Sequence, residues 1–291
     1  MARAVALCHM RLAISFDYDS PEGYRRSFGM RGCRPTADQD GARVLLRVLR
    51  DHDVRATFGI VGRVALDGEP PEHCPEQVRE IHAAGHEVAS HSMLHKYLPP
   101  LGRAELFEDI LTSRKVLESR IGGPVRGFIP PFNRPMHFPQ RRAFSLSELL
   151  GVHGRGRARQ SLGSLLGLLG RAGYGWSRVS FEDKVAALAR RLGWRGDAPP
   201  AQPFAFGEIV AIPLHSTGFG EASRALVRRY LRTSLTLAIY GHPNQALEDN
   251  DQSAGRLSRF LDEFETERRR GLLQLHTMAE IEAFTRAGGT Q

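Results

Sequence analysis

The chain has 291 residues, 41% apolar and 25% charged, an ordinary globular composition that can bury a core and argues against a disordered or fibrous protein. No run of 18 apolar residues occurs, so no membrane partner is expected. The net charge is +8, and 37 of the 40 basic residues are Arg against three Lys, a skew that fits genome composition better than phosphate binding. The one basic cluster, "HGRGRARQ" at 153–160, lacks interleaved aromatics and any helix-turn-helix or finger spacing, so no nucleic-acid partner is expected. Cys8, Cys33 and Cys74 are odd in number, widely spaced and form no CxxC pair, which argues against a disulfide framework or a cysteine zinc site and fits a reducing cytoplasm. The opening "MARAVALCHMRLAIS" imitates a signal peptide, but it runs directly into "FDYD", so cleavage there would destroy a strand and mature cytoplasmic protein is expected.

In chain order, "RLAISF" predicts a strand that ends in "DYDSPEG", two carboxylates followed by turn residues. "DQDGARVLLRVLRDH" predicts a helix with Val44, Leu45, Val48 and Leu49 on one face. "VRATFGIVG" follows as a strand, "PEQVREIHAAG" as a short helix opened by Pro and closed by Gly, and "HEVASHS" as a strand. "GRAELFEDILTSRKVLESRIGG" is a long amphipathic helix, and "VRGFIP" a strand stopped by Pro130 and Pro131. From about 136 to 206 the alternation dissolves into Leu-, Gly- and Arg-rich stretches, read as an irregular insertion or lid with room for short helices within a single domain over 1–291. "EIVAIPLHS", "LTLAIYGHP" and "LLQLHTM" then read as strands, and "SAGRLSRFLDEFETERRRG" and "AEIEAFTRAG" as helices. Such alternation builds an α/β fold with a parallel sheet or barrel through right-handed crossovers.

In such folds the active site lies at the carboxyl ends of the strands. Asp17 and Asp19 close the first strand, His91 closes the third and His95 follows it. Pro130, Pro131, Phe132 and Asn133 follow the fourth, His215 ends "IVAIPL" and His242 ends "LAIYG". In "HSMLH", a helical turn after the strand would put residues i and i+4 on one face, so both imidazoles reach one ion. A carboxylate from a neighbouring strand completes a two-His, one-carboxylate site that suits Zn²⁺ and leaves a position open for water. Asn133 and Asn244 flank these segments as candidates for binding substrate hydroxyls.

"SFDYD", "HSMLH" and "RGFIPPF" resemble the first three motifs of the polysaccharide deacetylases with NodB homology, carbohydrate esterase family 4. The resemblance covers residues 12–135 well and 207–285 loosely, and implies a deformed, incomplete (β/α) barrel with one divalent ion, usually zinc, with Co, Ni or Mn able to share the ligand set. It implies that Asp19, His91 and His95 are the metal ligands and Asp17 the general base. The Phe132 backbone N–H would complete an oxyanion hole beside Pro131, and a late histidine would protonate the leaving amine. His242 is favoured as that acid because of its His-Pro context, leaving His215 as a neighbouring pocket residue.

Two departures stand out. The family's third motif usually carries an Arg that holds the catalytic Asp, and Ile129 stands there. Arg126 points to the opposite strand face, so Arg134, beyond the strand end, is the candidate to swing in. The family's Trp-containing fourth motif cannot be placed, and Trp176 and Trp194 read as packing residues. The function implied is metal-dependent removal of an N-acetyl or similar small acyl group from an amino sugar or glycoconjugate small molecule. The alternatives are hydrolysis of another non-peptide C–N bond (cyclic amide, ureide or formamide), with or without metal, and an inactive sugar-binding relative. The oligomeric state is not legible in the sequence.

Overall fold

The computed structural model describes residues 9–28, 34–133, 160–180 and 200–288. The expected Arg134 and Trp194, with Cys8, Cys33 and nearly all of the basic cluster, lie outside the described residues.

β1 (Met10–Tyr18) is the centre of the fold, pairing in parallel with β2 (Thr57–Ile60) and β10 (Leu273–His276) on one side and β9 (Thr236–Gly241) on the other. Beyond β2 come β3 (Glu87–Ser90), β4 (Gly127–Phe128), β5 (Trp176–Val179), β7 (Ile209–Pro213) and the antiparallel edge strand β6 (Phe204–Phe206). Beyond β9 lies the short β8 (Ser216–Thr217). The ten-stranded sheet curls into a deformed, incomplete barrel.

The period-2 alternation of β1 sorts its side chains between two cores. Leu12, Ile14, Phe16 and Tyr18 face outward into the main hydrophobic core, against α2 (Ala37–Asp51), α3 (Pro75–Ala83) and α4 (Arg103–Ile121). Ala13 faces inward, into a smaller core with Ala89, Ile129, Trp176, Val210, Ile212 and Ala238. Met278 and Ile281 of α9 (Met278–Arg286), which starts with a capping box at Thr277, join that inner core. Ser15 and Asp17 continue the inward face, so the interior changes from apolar to polar along one strand. Among the described residues no helix is long and apolar enough to cross a membrane.

The structure corrects several expectations. Residues 160–180, expected within an irregular insertion with room for short helices, hold one such helix, α5 (Leu162–Arg171), but also β5, which stands between β4 and β7 in the sheet. The Leu-rich segment is regular because Leu165, Leu166, Leu168 and Leu169 bury one face against the main core. Trp176 is a packing residue as expected, its Nε1 donating to Glu87 Oε1 at 2.9 Å. The turn expected at "SPEG" is the start of α1 (Ser20–Phe28). α6 (Glu221–Tyr230) has no counterpart in the sequence reading, and the long helix expected near the C-terminus is two, α7 (Ala254–Glu263) and α8 (Glu265–Arg269).

α2 docks on the turn after β9 at Gly41, where a Cβ would lie 1.7 Å from the Pro243 carbonyl oxygen. Only glycine permits this approach. Gly41→Ala should therefore destabilise the fold by about 1–3 kcal/mol, read as a lowered urea midpoint, and the strain falls on the residue next to His242.

Candidate active site

Asp19, one residue past β1, meets His91 and His95 in a sealed cluster. The Nε2 atoms of both histidines lie 3.3 Å from Asp19 Oδ1, and one ligand atom from each residue falls within 4.8 Å of the others. All three are buried. His91 Nδ1 donates to the Ile129 carbonyl at 2.7 Å, which fixes the tautomer and leaves its Nε2 lone pair facing Asp19. The two histidines are not on a helical turn, contrary to expectation. Ser92 and His95 both adopt left-handed backbone (φ +65° and +52°), and Ser92 Oγ accepts the His95 N–H at 2.9 Å. A tight loop, not the 3.6-residue period, joins their faces.

Burial alone would raise the Asp19 carboxyl, but the two imidazoles beside it outweigh burial and hold the group well below the usual carboxylate range. Burial pushes His95 down, toward the neutral imidazole. His91 is also opposed by burial, yet the nearby carboxylates of Asp19 and Asp17 carry it upward. Asp19 Oδ1 and His95 Nδ1 have no hydrogen-bond partner. Buried polar atoms are almost always satisfied, so a carboxylate and two imidazoles left converging without donors between them fit a divalent cation.

Asp17 points inward beside this cluster and is held by Arg178 of β5. Nη1 donates to Asp17 Oδ1 at 2.8 Å and Nη2 to Oδ2 at 2.5 Å, while Nη1 also reaches Ser15 Oγ at 3.0 Å. The guanidinium, 2% exposed, also lies 4.6 Å from the centroid of the Tyr240 ring. This answers the missing third-motif Arg. The β4–β5 register pairs Phe128 with Ser177, so Arg178 stands one step further along, across from Ile129. Ile129 itself packs in the inner core, and Arg126 turns away to Glu282, 2.6 Å from its Oε1. Arg178 was not foreseen as the clamp, because its strand lay hidden in the segment expected to be irregular.

β9 places His242 level with Asp17, since Gly241 pairs with Phe16. Its Nδ1 donates to Gln252 Oε1 at 2.8 Å, which holds the ring in place. His215 is engaged elsewhere: its Nδ1 accepts the Ala238 N–H at 2.9 Å and its Nε2 donates to the Ala201 carbonyl at 2.8 Å. Ala238 pairs with Ala13, four residues and so roughly 13 Å below Asp17 at about 3.3 Å per residue. With both ring nitrogens on backbone, His215 braces the sheet and is not brought to the cluster.

Pro131–Asn133 form a single turn after β4, in which Phe132 has φ +65° and its ring lies 4.9 Å from that of His95 and 5.6 Å from that of Tyr97. The Asn133 side chain lies outside the described residues. Ser20, Ser92, His95 and Phe132, four of the five described non-glycine residues with positive φ, surround this one cluster, as backbone strain tends to at functional sites. Two further residues escaped sequence reasoning. Gln252 orients His242, and Asp38 of α2 is buried beside Asp19, its carboxyl raised well above the usual range by burial and by the Asp19 charge.

With that geometry in hand, comparison with known proteins identifies the segment that carries it. Residues 11–143 match the family model described as polysaccharide deacetylase. Over that segment, just under half of the chain, the sequence is similar to the polysaccharide deacetylases. A chitooligosaccharide deacetylase from Sinorhizobium fredii is 36% identical over 73 residues, 25% of this chain and 31% of that protein. One from Bradyrhizobium is 36% identical over 75 residues, 26% and 32% of the two chains. The chain spans about a third of the length of the curated relatives it matches. A putative polysaccharide deacetylase from Mycobacterium smegmatis shares the fold over 100% of this chain and 94% of its own, at TM-score 0.65 and 17% identity. An allantoinase shares it over 97% and 92%, at TM-score 0.62 and 13% identity.

Two outcomes follow. Removing one partner of a buried ion pair costs about 3–5 kcal/mol, so Arg178→Met should lower the urea midpoint sharply, and adding Asp17→Asn should restore much of the loss in a double-mutant cycle. Elemental analysis should find one divalent ion per chain in the wild type and none in His95→Ala.

Proposed function

We propose that this protein is a metal-dependent hydrolase that removes an acetyl group, or a similar small acyl group, from the nitrogen of an amino sugar. The observation that carries it is the buried Asp19–His91–His95 cluster with an Arg-clamped carboxylate, Asp17, at its side. The family match over residues 11–143 and the names of the matched relatives point the same way.

Asp19, His91 and His95 would hold the ion, and two imidazoles with one carboxylate suit Zn²⁺, which when bound would supply Lewis-acid polarisation of the amide carbonyl and a more acidic water. Co, Ni and Mn can share the set, and availability selects among them. Asp17, fixed in direction by Arg178 and Ser15, takes the proton of the attacking water. The Phe132 backbone N–H donates to the oxygen that gains charge as the carbonyl carbon becomes tetrahedral. As the C–N bond breaks, His242 gives a proton from Nε2 to the leaving nitrogen, with Gln252 holding the ring through Nδ1. The products are acetate and a free amine.

The test is acetate release from N,N′-diacetylchitobiose and other N-acetyl amino sugars by the zinc-supplemented protein, with allantoin alongside as a ureide. Asp17→Asn should lower kcat about 10³-fold at unchanged metal content. No acyl release from any amino sugar, or turnover of allantoin alone, would overturn the proposal.

A further inference from the structure

The ligand cluster is closed to solvent: Asp17 and Asp19 are 2% exposed, and His91 and His95 only 1%. An ion or an acyl group therefore reaches it only if part of the wall moves. One wall is α1. Its Gly23 is pressed on the cluster, where a Cβ would lie 3.0 Å from His95 Cγ and 3.3 Å from Asp19 Cβ. Pro21 and Tyr24, three apart and so on one face of the helix, line a cavity of about 320 Å³. Asp17, Asp19, His91 and His95 are not among the residues that line it. α1 thus stands between the cavity and the cluster.

This helix is lightly held. None of its described side chains joins either apolar core, and nine residues are too few to keep a helix folded alone. Charge is what fastens it. Glu22 is 2.7 Å from Arg25 and 3.1 Å from Arg26, and Arg25 crosses to Glu72 at 2.9 Å. Arg26 Nη1 also donates to the Leu94 carbonyl at 2.5 Å. Glu72 lies in the loop before α3 and Leu94 in the loop that joins the two histidines, so the ties run to both rims. Partly exposed ion pairs of this kind are weak and are screened by salt. At the other end of the helix Ser20, next to Asp19, is held at φ +67°, a backbone that relaxes if the helix swings away.

We propose that α1 is a hinged door over the ligand cluster, turning at Ser20 and latched by the ion pairs of Glu22 and Glu72 with Arg25 and Arg26. Releasing the latch joins the cavity to the cluster. What passes through the door rests on the metal-hydrolase reading, but the door itself does not.

The full-length wild type is compared with the double variant Glu22→Gln/Glu72→Gln, whose carboxylates are 30% and 21% exposed and lie outside the cores. Each chain, without added metal, is treated with diethyl pyrocarbonate, and modified histidines are mapped by mass spectrometry. His95 should be modified about fivefold faster in the variant, with the exposed His82 unchanged as the internal reference. Raising salt to about 1 M should speed His95 modification in the wild type and leave the variant unmoved. After zinc loading, extraction by excess chelator should show the same gain in rate. An unaltered His95 rate, an equal gain at His82, or no response of the wild type to salt would overturn the door. Faster His95 modification in a chain that takes up no zinc would remove the metal reading and leave the door standing. Zinc uptake with an unmoved His95 rate would do the reverse.

Discussion

The buried pair between Arg178 and Asp17 is the constraint on which the site depends. Taking two charges out of water costs several kcal/mol each, and mutual attraction repays this only with good geometry and further hydrogen bonds. Here both carboxylate oxygens are engaged by a two-pronged guanidinium, Ser15 takes a third bond and the Tyr240 face lies over the cation. Each of those partners sits on a different strand or a different step of one strand. The pair therefore closes only if β1, β5 and β9 hold their register, and it ties catalytic geometry to the sheet itself.

Around that pair the fold divides its labour by strand face. Outward side chains of β1 anchor the sheet to the helices, and inward ones run from Ala13 through Ser15 to Asp17. An apolar floor thus ends in a polar rim, where parallel strands leave their carboxyl ends open. The loops that follow accept left-handed backbone at Ser20, Ser92, His95 and Phe132. That strain is tolerated because packing over-determines it: α1 lies so close that a Cβ on Gly23 would be 3.0 Å from His95 Cγ.

Much of this was legible in the sequence, and what was not has physical causes. Alternation of strand and helix patterns located β1, β2, β3, β4, β7, β9 and β10, because each is a short segment with apolar residues bounded by turn or helix signals. The Asp19, His91 and His95 set was legible from strand ends and motif spacing, although the expected helical turn in "HSMLH" gave way to two left-handed residues that periodicity does not encode. β5 was missed because four residues flanked by glycines and arginines carry too little pattern to stand out. With it went Arg178, whose partner lies 161 positions away. His215 and His242 are both strand-end histidines; the His-Pro context favoured His242, and cross-strand register separates the one braced on backbone from the one level with Asp17. Gln252 and Asp38 carry no local signal, since their roles arise from what the fold sets beside them.

The placement of Ile129 across from Arg178 has an evolutionary corollary. Both positions feed one enclosed volume that offers a single carboxylate to neutralise a single cation. Arginine at either position satisfies the electrostatics, arginine at both would leave one sealed charge without a counterion, and arginine at neither would strand Asp17. Positions 129 and 178 thus face one carboxylate from neighbouring strands, and in this chain the cation comes from the second. A signature that checks only the first locus would read this chain as broken, when the duty has moved one strand across.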